Sequence, residues 1–217
     1  MRHRGLPPVI DGQVEVLILG SFPSPASLAK KQYYGHPQNH FWKLMSALLG
    51  EPLYELAYET RVQMLLKCRI GLWDVLHQCD RAGALDSNIR NAVQNDFRKV
   101  TKIARGLKRV CFNGKTAGRF EPVFAEAGYQ TLVLPSSSPA YTLALGEKLK
   151  HWRAIVEPCA AGLLSSDSSA RGHGVHGGGN ADDGADGGDG SGARRVRRRP
   201  ALCDTPARRG RRLAAAM

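Results

Sequence analysis

The sequence lacks any cysteine motif. Its five cysteines, Cys68, Cys79, Cys111, Cys159 and Cys203, are scattered, with no C-x-x-C pair and no spacing that closes a metal or cluster site. That excludes a disulfide-rich secreted scaffold and a cysteine-ligated zinc module, and leaves free buried thiols in a reducing compartment as the expectation. No apolar run approaches the roughly 20 residues that cross a bilayer. The opening Met1-Arg2-His3-Arg4-Gly5-Leu6-Pro7-Pro8 carries no signal-peptide core. A soluble, cytoplasmic protein without a membrane partner is expected. Negative charge is also scarce: 31 Lys and Arg stand against 19 Asp and Glu, giving a formal charge of +12. The excess is shared along the chain, 21 against 13 up to residue 157 and 10 against 6 beyond it. Such a positive field draws polyanions and speeds encounter with them, so nucleic acid or an anionic surface is a candidate partner. Charge alone does not choose between them.

Apolar residues themselves become scarce after Glu157. The remaining run of Gly, Ser, Ala and Asp, followed by Arg194-Arg195-Val196-Arg197-Arg198-Arg199, buries too little apolar area to offset its ordering entropy. Residues 158–217 are therefore expected to be a disordered tail, either simply solvated or a nonspecific grip on phosphates, and residues 1–157 a folded catalytic domain.

Within that domain, Val14 to Leu19 is a short apolar run that reads as a buried strand, ending in the loop Gly20-Ser21-Phe22-Pro23-Ser24-Pro25. The prolines delay a helix until about Ala26. A second loop, Tyr33 to Gln38, precedes a helix from Asn39 that carries Phe41, Trp42, Met45, Leu48 and Leu49 on one face and stops at Gly50. Further helices are expected over 61–67, 95–106, 115–127 and 147–157, and strands over 71–73, 109–112 and 131–134. Strands alternating with helices give an α/β fold of three layers, with a central, mainly parallel four-stranded sheet flanked by helices. Ligands of such sheets collect beyond the carboxyl ends of the strands. Gly20–Pro25 and Pro135–Ala140 both fall there.

Three stretches stand in order: Gly20-Ser21-Phe22-Pro23-Ser24 after an apolar strand, Tyr34-Gly35-His36-Pro37-Gln38-Asn39-His40-Phe41-Trp42, and Leu134-Pro135-Ser136-Ser137-Ser138-Pro139-Ala140. Together they resemble the uracil-DNA glycosylase superfamily, and within it the hypoxanthine-DNA glycosylases, over residues 10 to 157. The resemblance implies a monofunctional, cofactor-free enzyme that acts as a monomer on DNA containing deaminated bases, hypoxanthine first. Breaking an N-glycosidic bond leaves positive charge on the sugar and negative charge on the base, so a site must hold a water and accept the base's charge. Where uracil-removing relatives carry an Asp or Asn to position the water, this chain has Phe22, which cannot orient water. Asn39 is the residue that takes the role here, because a neutral amide accepts and donates hydrogen bonds at once. Asn is equally a favoured helix N-cap, and the two roles are compatible.

The same resemblance makes Tyr34 the ring that stacks on the extruded base, and Gly20, Ser21, Phe22 and Pro23 the wall that contacts it, with the Ser21 and Phe22 amides facing the departing base. It places Ser136, Ser137 and Ser138 against the DNA backbone, where hydroxyls and amides suit phosphate oxygens, and leaves Tyr141 as the bulky side chain available as a wedge. His36 reads as a pocket-shaping residue. His36 and His40 have no third partner at a metal-binding distance in sequence, so no metal is expected. Asn113-Gly114-Lys115-Thr116 lacks the first glycine of a phosphate loop and reads as a helix start, with Lys115 a phosphate contact or a solvated lysine. Trp73-Asp74 reads as a strand end with Asp74 capping a following helix rather than acting as a catalytic carboxylate. The Ser136 run lacks the G-x-S-x-G elbow of a serine hydrolase. Uracil excision from mismatches, and a lesion-binding module without hydrolysis, remain the alternatives.

Overall fold

The computed structural model describes residues 2–157; the tail and Arg-rich run discussed above lie outside them. In chain order the elements are β1 (Arg2–Arg4), β2 (Val16–Gly20), α1 (Pro25–Lys30), α2 (Phe41–Leu49), α3 (Tyr58–Lys67), β3 (Ile70–Asp74), β4 (Leu76–Asp80), β5 (Arg90–Gln94), α4 (Arg98–Ile103), β6 (Arg109–Asn113), α5 (Lys115–Gly118), α6 (Glu121–Glu126), β7 (Gln130–Leu134) and α7 (Leu145–Trp152).

The central sheet has the order β3-β2-β6-β7, and every neighbouring pair is parallel. Its inner strands read as unbroken apolar runs because both faces are covered: Leu17, Ile18, Leu19, Val110, Cys111 and Phe112 are fully buried. Helix α3 packs on β3, α5 on β6, α6 and α7 on β7, while α2 lies against α7. The expected α/β architecture is present. Because all four strands run the same way, the ends at Gly20, Asp74, Asn113 and Leu134 lie on one edge of the sheet, and the loops leaving them converge there.

A second, three-stranded antiparallel sheet, β1-β4-β5, has no counterpart in the sequence reading. The reason is visible in β5, Arg90-Asn91-Ala92-Val93-Gln94, which is exposed at every position and shows no alternation of apolar residues. The helix expected over 115–127 is two helices, because Pro122 tolerates only the first turn, and α6 begins with it there. The helix expected from Asn95 starts at Arg98: the Asn95 amide and side chain instead donate to the carbonyls of Val75 and Asp74, at 3.0 and 2.8 Å. Pro25 opens α1 at its first turn, with Ser24 Oγ accepting from the Ser27 amide at 3.1 Å. Gly50 ends α2 in the left-handed conformation, φ 72°, as the sequence indicated. Among the described cysteines, Cys79 and Cys111 are buried. Cys68 departs from the expectation of free thiols, since it is disulfide-bonded.

Candidate active site

A pocket of about 250 Å³ opens on the carboxyl edge of the central sheet. Of the residues proposed from sequence, Gly20, Ser21, Phe22, Pro23, Tyr34, Asn39, Ser136, Ser137, Ser138 and Tyr141 all line it. His36 and Lys115 do not. His36 Nδ1 accepts from the Gln38 amide at 3.2 Å, and Lys115 is the exposed first residue of α5. The pocket also takes in Asp74 and Asn113, which the sequence reading gave a strand end and a helix start but no place in the pocket, and Arg81 and Asp86, which it did not single out.

Asn39 stands just ahead of α2. Its Oδ1 accepts from the amide of Phe41, the first helical residue, at 2.9 Å, and its own amide donates to the His36 carbonyl at 2.9 Å. The N-cap position itself is His40, which makes no side-chain cap bond, so Asn39 holds the first turn from one residue further out. That bond fixes the carboxamide at the pocket wall and leaves the second lone pair of Oδ1 for another donor, so that holding the turn and touching substrate are both open to the same side chain.

Tyr34 adopts a left-handed backbone, φ 56°, which is costly for a residue with a side chain and persists where surrounding structure enforces it. Its ring stacks on Phe41, centroids 3.8 Å apart and planes 13° from parallel. Phe22 is nearly buried at 6 % exposure, with the Arg81 guanidinium 5.2 Å from its ring centroid. Arg81 also donates to the Pro23 carbonyl and sits 3.9 Å from Asp86, whose other oxygen accepts from the Ser21 hydroxyl at 2.6 Å. The turn carrying Arg81 and Asp86 therefore holds the Gly20–Pro23 loop in place.

The third loop is pinned from below. Asn113, closing β6, donates to Ser137 Oγ and accepts from the Ser137 amide, both at 2.8 Å. Ser137 is buried at 1 % exposure, so its side chain serves the loop, and its carbonyl accepts from the His40 amide at 3.0 Å, tying this loop to α2. Gly114, φ 96°, lies so close to Ser136 that a methyl group there would come within 2.9 Å of Ser136 Cβ. Lys148 is fully buried and donates to the Tyr141 carbonyl at 2.8 Å, while Tyr141 itself is 44 % exposed at the rim.

Asp74 is the main residue that sequence reasoning misplaced. No helix follows it; β4 begins at Leu76, so it has no helix to cap. It pairs in register with Gly20 on the adjacent strand, and its carboxyl lies across that glycine: a methyl at position 20 would overlap Asp74 Oδ1. Burial, and secondarily the nearby Asp86 carboxylate, push its pKa up to about 8, against the pull of Arg81. Burial likewise raises the Tyr34 phenol, helped by Asp74, while the Asn113 amide acts in the opposite direction. A charged residue closing the otherwise apolar strand Ile70-Gly71-Leu72-Trp73 was the available signal.

Four buried side-chain atoms among the described residues have no hydrogen-bond partner: Tyr34 Oη, Asp74 Oδ2, Arg81 Nε and His40 Nδ1. Three of these residues line this pocket. Buried polar atoms are normally satisfied, because leaving one unmade costs about 1–3 kcal/mol. A polar ligand is the natural partner for a cluster of them.

The Uracil DNA glycosylase superfamily model matches residues 7–158. A hypoxanthine DNA glycosylase of Methanosarcina acetivorans is 44 % identical over 155 residues, which is 71 % of this chain and 98 % of that protein. One of Methanosarcina barkeri is 43 % identical over 152 residues, 70 % of this chain and 96 % of that protein. Among solved structures, the solution NMR structure of a Methanosarcina acetivorans chain assigned as a uracil DNA glycosylase superposes with a TM-score of 0.65 at 42 % identity, covering 72 % of this chain and all of that one.

Proposed function

The chain belongs to the uracil-DNA glycosylase superfamily, and from that membership we propose that it removes deaminated bases from DNA, hypoxanthine in deoxyinosine foremost, by hydrolysing the N-glycosidic bond. The observation that carries the reading is the pocket itself: a base-sized recess on the carboxyl edge of a parallel sheet, lined by an aromatic ring and by buried polar atoms that lack partners. Its volume lies just below the roughly 300 Å³ of the smallest drug-sized sites, the scale of one extruded base.

In this reading the base leaves the helix stack and enters between Tyr34 and the Gly20–Pro23 loop. Flipping costs a few kcal/mol and costs least at a mismatched or damaged pair, which favours lesions over normal bases. Asn39 holds the attacking water through the free lone pair of Oδ1, the other being fixed by the Phe41 amide. The Gly20–Pro23 loop, braced by Arg81 and Asp86, presents backbone amides to the base. Ser136 and Ser138 contact the DNA backbone around the extruded nucleotide, and Tyr141 fills the vacated space. No lysine lines the pocket, so hydrolysis by water, without a covalent lysine intermediate, is the chemistry these residues support. His36 shapes the Tyr34 loop from outside the pocket, and Lys115 is an outlying phosphate contact. Action as a monomer in the cytoplasm is part of the same proposal.

The test is single-turnover release of base from duplexes containing deoxyinosine, deoxyuridine or deoxyxanthosine. Release of hypoxanthine is expected to be fastest, and Asn39→Ala to slow it by at least about a hundredfold, the usual worth of a positioned proton-handling group. No release of any base by the wild type, with lesion binding equal in wild type and variant, would instead identify a lesion-binding module.

A further inference from the structure

Water held by Asn39 accounts for one half of the hydrolysis and leaves the other half, the departing base, without a proton. A purine leaving with the electron pair of the broken bond is a poor leaving group until a ring nitrogen is protonated. The donor must be inside the pocket, must carry a proton near neutral pH, and must be able to give it up.

The ionisable groups of the pocket separate on these requirements. Arg81 carries protons but does not release them, and its guanidinium is engaged by the Pro23 carbonyl and by Asp86. Asp86 is partly exposed and already accepts from Ser21. Tyr33 and Tyr34 are held protonated far above neutrality, Tyr33 being committed to the Leu6 and Pro7 carbonyls. Asp74 remains. Its Oδ2 is buried and has no partner, and it stands at the carboxyl end of β3 beside Gly20, the one residue type that leaves room for it.

We propose that Asp74 is the general acid of this site, passing its carboxyl proton to a ring nitrogen of the purine as the N-glycosidic bond breaks. The bond's electron pair leaves with the base and takes up the Asp74 proton. The oxygen of the water bonds to C1′ of the deoxyribose, its displaced proton goes to solvent, and the Asp74 carboxylate is reprotonated from solvent. Nothing is oxidised or reduced. Asp86 and Arg81 from the 81–86 turn act on the protonation of Asp74, while Tyr33 and Tyr34 from the loop before α2 and Tyr58 from α3 feel its charge as neutral phenols. Burial and Asp86 keep the carboxyl neutral through pH 7, the form an acid needs. The proposal rests on the glycosylase reading.

Asp74→Asn keeps the shape and both hydrogen-bonding capacities of the neutral acid but has no proton to transfer. The experiment is single-turnover release of hypoxanthine by the full chain from pH 5.5 to 10, together with binding to a duplex carrying a non-cleavable 2′-fluoro analogue of deoxyinosine. The wild-type rate is expected to fall about tenfold per pH unit above about pH 8. Asp74→Asn is expected to be at least about a hundredfold slower at pH 7, to lack that falling limb, and to bind the analogue within about threefold of wild type. A variant that matches the wild-type rate, or keeps the same falling limb, overturns the proposal. So does a variant whose loss of rate is matched by an equal loss of affinity, since Asp74 would then only read the base. If the wild type releases no base at any pH, the glycosylase reading falls and this proposal with it, a result distinct from a wild type that works and a variant that works equally well.

Discussion

A buried carboxyl with a raised pKa makes a prediction about stability that needs no substrate. Asp74 ionises near its ordinary value of 3.8 in the unfolded chain but holds its proton to about pH 8 in the folded one. Between these values the folded state binds more protons than the unfolded state, so stability falls as pH rises through that window. Each tenfold change in proton affinity is worth about 1.4 kcal/mol, which puts the loss on the order of 4 kcal/mol at pH 7, levelling off on the order of 5–6 kcal/mol above pH 8. Asp74→Asn removes the titration while keeping the size of the side chain. Wild type and variant should therefore differ by no more than about 1 kcal/mol at pH 4, with the variant ahead by about 4–5 kcal/mol at pH 8.5. For a chain of this size that is a rise in Tm of roughly 10 °C. Urea denaturation of both proteins at pH 4, 6, 7 and 8.5 measures the difference directly, and the other titrating groups cancel in it. A difference that stays constant across this range would show that Asp74 ionises normally in the folded state and would refute the argument.

Gly20→Ala drives a methyl group into Asp74 Oδ1 and to 3.4 Å from the Tyr34 hydroxyl, so it should cost about 1–3 kcal/mol in denaturant melts and, by displacing pocket groups, about a hundredfold in base release. Lys148→Met leaves the Tyr141 and Ser138 carbonyls without their shared donor, at 2.8 and 3.4 Å. It should weaken lesion-DNA affinity by about tenfold in fluorescence titrations through the loosened 136–141 loop, with the circular dichroism spectrum unchanged. Asn39→Ala should lower stability by about 1 kcal/mol in the same melts, the usual worth of a helix cap, beyond its effect on catalysis.

The parallel sheet could be read in advance because strands buried on both faces leave an unmistakable trace, as in Val16-Leu17-Ile18-Leu19 and Arg109-Val110-Cys111-Phe112. The antiparallel sheet left none: β4 mixes buried Leu76 and Cys79 with half-buried polar residues, and β5 is exposed throughout. The pocket divides the same way. Residues in contiguous loop motifs, from Gly20 to Pro23, Tyr34, Asn39 and Ser136 to Ser138, announce themselves together, and they do meet at one pocket. Asp74, Arg81, Asp86 and Asn113 are single polar residues at strand ends or in a turn; the register of the central sheet brings Asp74 and Asn113 to it, and the turn after β4 brings Arg81 and Asp86. His36 and Lys115 show the converse error, since lying next to a motif in sequence did not put them in the pocket.

On the proposed mechanism, a phenyl ring at position 22 has a physical sense. A carboxylate at position 22 would stand where the Arg81 guanidinium now lies 5.2 Å from the ring centroid, and would compete with the Pro23 carbonyl and Asp86 for it. A phenyl ring adds no charge and offers its face to Arg81, which in turn steadies Pro23 and Asp86. The loop thus leaves Arg81 free to brace Pro23 and Asp86. In the proposed mechanism the water falls to Asn39, an uncharged amide held by the Phe41 amide, and the proton to Asp74 at the end of β3, so that the water-holder brings no charge near the acid.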